Sequence, residues 1–111
     1  ITGQERVYAC GIFWNLSTVE ENKVLMGASE LKLLPALKSV IRKDTGEARV
    51  NACGCLVQLA HCSKNSLAIA SSELGLLSVL AGVVKDDKDE ARVYASCVLW
   101  NLAEVCCYQT A

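Results

Sequence analysis

No apolar run in this chain approaches the length of a membrane span, and the sequence opens with no charged-then-apolar leader. Membrane insertion is therefore not expected. Histidine occurs once, as His61, and no acid and nucleophile are arranged around it in the sequence. Neither sign of charge is in excess: Lys and Arg number 11, Asp and Glu 12, and the net of −1 leaves no basic footprint for nucleic acid. A Gly-rich phosphate loop, a nucleophile elbow and a paired-carboxylate motif are all missing. Neither catalysis nor a cofactor is expected, and a cytoplasmic setting, with the nucleus as the second, is the default.

The chain is instead rich in apolar residues, at 52%, and in cysteine, with seven. Cys53 and Cys55 form a C-x-C, Cys106 and Cys107 are adjacent, and Cys62 follows His61. Metal sites typically pair cysteines about two to four residues apart in turns. Cys53 and Cys55 would lie about 200° apart on a shared helix. Small buried thiols in close helix packing are the expected role, and an odd count without a secretion signal points to a reducing compartment.

Arg6-Val7-Tyr8-Ala9 recurs as Arg49-Val50-Asn51-Ala52 and as Arg92-Val93-Tyr94-Ala95, an interval of 43 residues. The register continues without gaps through Cys10/Cys53, Gly11/Gly54, Leu16/Leu59, Asn22/Asn65, Leu34/Leu77 and Leu37/Leu80. A fixed period of this size marks a stacked repeat, in which one unit cannot bury its own apolar face and function lies on a surface. The third copy stops after one helix-length segment, the first residue is Ile1 rather than Met, and neither end reads as a polar cap. The chain is thus expected to be a fragment of a longer array, with self-association through its uncapped ends as a further expectation.

Each period divides into three helical segments. A short first segment spans 24–29 and 67–72, with Asn22 and Asn65 placed to cap its first turn. The second carries Leu33, Leu34, Leu37, Val40 and Ile41, repeated as Leu76, Leu77, Leu80, Val83 and Val84, which is one face of an α-helix. Gly75 permits a sharp turn before it, and Pro35 falls near its start, where a missing N–H costs little. The third segment follows capping signals at Asp44-x-x-Glu47, Asp87-x-x-Glu90 and Thr2-x-x-Glu5. Its buried face reads Ala91, Ala95, Val98, Leu99 and Leu102, then Ala48, Ala52, Cys55, Leu56 and Leu59, and in the first copy Ala9, Ile12, Phe13 and Leu16.

A short helix, a bend, a second helix with Leu34-Pro35-Ala36-Leu37 and a third ending Leu99-Trp100-Asn101-Leu102-Ala103 together resemble the armadillo repeat. Phe13-Trp14-Asn15-Leu16-Ser17 is closest in flavour to the catenin and adenomatous polyposis coli branch. The resemblance covers essentially the whole chain. It implies an all-α fold, a right-handed α-solenoid of about two and a half repeats: residues 1–20 the third helix of a preceding repeat, 21–63 one repeat and 64–107 the next. The HEAT repeat, with two helices per unit, fits three segments per period less well. Lys32 departs from the usual Gly at the bend. Gly11, Gly54 and Cys97 stand where importin-alpha-like receptors carry Trp, so a nuclear-import receptor is disfavoured.

Third helices in this family line a concave groove, and helical spacing then places Tyr8 and Asn15, Asn51, Gln58 and His61, and Tyr94 and Asn101 along it. Asn15, Gln58 and Asn101 share one register, and side-chain amides can clamp the backbone of an extended peptide or bridge their own helices. Trp14 and Trp100 are candidates as binding anchors, with packing between repeats as the plainer role, and Val57 interrupts them in the middle copy. Arg6, Arg49 and Arg92 each follow a glutamate closely, so local charge balance explains them. The expected function is a non-catalytic protein interaction scaffold that binds a protein or extended peptide, and the alternative is an architectural segment that spaces or rigidifies flanking domains.

Overall fold

The computed structural model describes residues 2–110, with side chains through Val105. The described residues form helices α1 (Gly3–Ser17), α2 (Glu20–Gly27), α3 (Leu33–Lys43), α4 (Glu47–Leu59), α5 (Ser63–Ile69), α6 (Leu76–Asp86) and α7 (Glu90–Thr110), with a 3-10 turn at Ser29–Leu31 and no strand. The period is visible in the backbone. Both ends of α3 recur in α6, and the starts of α2 and α4 recur in α5 and α7, each 43 residues on. Like packs on like: α1 against α4 and α4 against α7, α2 against α5, α3 against α6.

Each expected segment forms a helix, but the first begins earlier than the sequence suggested. α2 and α5 start at Glu20 and Ser63, behind Val19 and Cys62, neither of which makes a side-chain cap. Asn22 and Asn65 lie inside these helices and cap in the opposite sense. Asn22 Nδ2 donates to Leu16 O at 2.9 Å, and Asn65 Nδ2 donates to Leu59 O at 3.0 Å, so each satisfies a carbonyl at the end of the helix before it. The next residue does the same. The ammonium of Lys23 donates to Ser17 O and Ser66 Oγ donates to Ala60 O at 2.7 Å.

The bend before the second helix needs a left-handed residue in both units. Gly75 adopts it at φ 71°, and Lys32 adopts it at φ 57° with a side chain that disfavours it. Thr2 caps α1 as the sequence indicates, its Oγ1 accepting from Glu5 N at 3.1 Å. Asp44 and Asp87 do not cap the third helices. They are the C-cap residues of α3 and α6, and Gly46 stands at the N-cap of α4. Their carboxylates serve another purpose. Arg6 pairs with Asp44 through two bonds, at 2.5 and 2.9 Å, and Arg49 reaches Asp87 at 3.1 Å. The acids that these arginines meet lie 38 residues on, whereas sequence proximity pointed to the glutamates beside them.

The core runs between the layers. Ala52, Cys53, Cys55, Leu56 and Leu59 of α4 are sealed between α1 and α7, with Leu37, Ile41, Ile69, Leu76, Leu80, Ala95 and Val98 around them. In the first copy the same face lacks a neighbour: Ile12 is 57% and Leu16 46% exposed. Leu77 is also exposed. Over this length the radius of gyration is 12.8 Å, close to the ~13 Å of an ordinary domain of this size, with extents of 43 × 31 × 23 Å.

Candidate functional site

Because α1, α4 and α7 pack in sequence, the residues at matching register form a surface that crosses three helices. Tyr8 and Asn15 are exposed on α1, and Trp14 is half-buried. Its ring lies against Gly54 of α4, where an added Cβ would fall 2.5 Å from it, and meets Tyr94 of α7 edge-on at 5.3 Å between centroids and 75° between planes. One side chain therefore bridges three helices, and it does so because the middle helix has a glycine under it.

The amides divide by use. Asn51 Nδ2 donates to Val7 O at 3.0 Å and so ties α4 to α1. Gln58 Oε1 accepts from Lys23 Nζ at 3.5 Å, and since an ammonium only donates, the Gln58 NH2 is left for other acceptors. Asn15 and Asn101 make no side-chain hydrogen bond with the described residues. His61 is exposed just beyond α4. Trp100 stands out from α7 with its Nε1 donating to Glu104 Oε1 at 2.8 Å, beside half-buried Asn101 and Tyr94.

Lys23 is the residue that sequence reasoning missed. It is 2% exposed at the C-terminal end of α1, where the helix dipole favours a cation, with Glu20 Oε1 at 3.9 Å. Its equivalent, Ser66, is an ordinary polar residue, so the period gave no sign of a buried charge.

The buried thiols are chemically quiet. Burial pushes Cys10 up, and pushes Cys53 and Cys55 up to about 12, so they stay protonated and weakly nucleophilic at neutral pH. Cys62 is half-buried and Cys97 is exposed. Among the described residues no group of three His, Cys, Asp or Glu is placed to hold a metal, and no helix is long and apolar enough to cross a membrane. The side chains of Cys106 and Cys107 lie outside the described residues. Comparison with protein-family models, with curated proteins and with solved structures gives no match.

Proposed function

We propose that this chain is a segment of a right-handed α-solenoid of armadillo repeats and acts as a non-catalytic protein interaction scaffold, cytoplasmic or nuclear, binding an extended peptide or partner protein across α1, α4 and α7. The observation that carries the reading is the set of amides at one register: Asn15 and Asn101 are unspent by the fold, and Gln58 keeps its NH2 free. An extended peptide has backbone N–H and C=O groups that such a row satisfies. Support for the repeat assignment comes from helices that each stack on their equivalent one period later. The test is selection of extended peptides from a displayed library, followed by Asn15→Ala, Gln58→Ala and Asn101→Ala in one chain. The triple variant should keep its helical spectrum and bind at least roughly tenfold more weakly. Undiminished binding with the fold intact rejects the amide row.

A second reading is architectural. Asn51 and Trp14, two of the groove candidates, are committed to holding helices together, as a segment that rigidifies flanking domains requires. Failure of any peptide to be selected would favour it.

A further inference from the structure

A furrow follows the junction between α3 and the turn that leads from α5 into α6. It consists of two hollows, of about 560 and 310 Å3, that share Pro35, Glu73 and Leu74. Buried Leu34 and half-buried Ala68 and Leu74 give the larger one an apolar lining. Pro35, Lys38, Ser39 and Arg42 form the α3 side of the smaller one. No residue of α1 or α7 lines either hollow. Both walls belong to units already packed on each other, so the furrow owes nothing to where the sequence begins or ends.

The positive charge in it is uncompensated. α3 carries Lys38, Arg42 and Lys43 and no acid. Arg6, Lys23 and Arg49 each meet a carboxylate, whereas Lys38 and Arg42 make no ion pair and no side-chain hydrogen bond with the described residues. Two cations four residues apart on a helix repel each other, and Lys38 is half-buried as well. The fold does not call for the pair, since α6 has Ala81 at the register of Lys38. Lys38 is nevertheless held over the smaller hollow. Its Nζ lies 3.2 Å from where a Cβ on Gly75 would stand, a place left open by the glycine at the bend.

We infer that this furrow binds an extended acidic segment of a partner protein, with one apolar side chain seated between Leu34, Ala68 and Leu74 and two carboxylates on Lys38 and Arg42. The spacing suits that shape. One helical turn separates Lys38 from Arg42 by about 6 Å along α3. Alternate residues of an extended segment lie about 6.6 Å apart on one side, so acids at alternate positions match the two cations. The apolar residue belongs at the Pro35 end of the segment and the acids at the Arg42 end. Glu73 faces the same space and sets a limit on affinity. The inference stands apart from the peptide-binding reading across α1, α4 and α7, because it uses none of the amide row.

The test is a displayed library of nine-residue peptides, selected on the parent chain and counter-selected on a Lys38→Gln, Arg42→Gln double variant. That variant breaks no contact of the fold and should keep its helical spectrum. The recovered peptides should carry acids at alternate positions beside a large apolar residue. The double variant should hold them roughly tenfold more weakly, and added NaCl should weaken the parent's grip. Glu73→Gln should tighten it about threefold. The Asn15→Ala, Gln58→Ala, Asn101→Ala chain should hold these peptides unchanged, which separates the fate of this furrow from that of the amide row. The proposal is overturned if no peptide survives counter-selection, or if the survivors lack acids. Capture of the parent by anionic lipid vesicles, with no peptide recovered, would assign the furrow to a lipid surface and overturn it too.

Discussion

Asn65 shows how much one side chain can settle. It is buried, it donates to Leu59 O and to Lys23 O at 2.7 Å, and it lies where a Cβ on Gly27 would come within 1.7 Å of its Oδ1. Gly27→Ala must therefore displace an amide that holds two carbonyls, and a loss of about 2–3 kcal/mol in urea denaturation is expected. Lys32→Gly acts the other way, since it removes a side chain from a left-handed backbone and should add about 1 kcal/mol. The cysteines separate in the same manner. At neutral pH a maleimide should label Cys97 in the folded protein and reach Cys53 and Cys55 only on unfolding, as peptide mapping would show.

Between elements, the Arg49–Asp87 pair ties the first turn of α4 to the end of α6, and a double-mutant cycle with Arg49→Met and Asp87→Asn should give a coupling of about 1 kcal/mol. The backbone N–H of Asp89, and then Arg49, hold the Asp87 carboxyl below the ordinary carboxylate range. A lowered folded value means that its contribution is complete above the usual aspartate range and is lost as pH falls through it. Below about pH 4 the melting temperature of the parent chain should fall more steeply than that of Asp87→Asn. At this scale the sequence is most readable and most misleading. The ranges of α3 and α6 follow from apolar spacing alone, because a helix that buries one face must show it. Asp44, Asp87, Asn22 and Asn65 were placed at helix starts because capping and bridging draw on the same residue types. Which they do depends on what lies 38 residues earlier, for the aspartates, or six residues earlier, for the asparagines. Trp14 meeting Tyr94 across Gly54 was likewise hidden, for nothing in the local pattern says that a glycine on the next helix will receive it.

Across the whole molecule burial is uneven, greatest in α4 and least in α1, and stability in a stacked array is set by neighbours. Hydrogen exchange should accordingly be slowest at Ala52–Leu56, and fastest among the third helices in α1. Equal protection of α1 and α4 would contradict a nearest-neighbour account. The candidate surface was only partly legible: its register could be read from the repeat, while the division of its amides into tied and untied ones required the packing. The double grip of Asn65 has a mechanical meaning as well. It fastens the end of α4 to the backbone of α2, so a pull between the two ends of the chain would load that joint in shear, whereas α1 would peel from its free side. Asn65→Ala should therefore soften the molecule under tension by a larger factor than it lowers its resistance to heat.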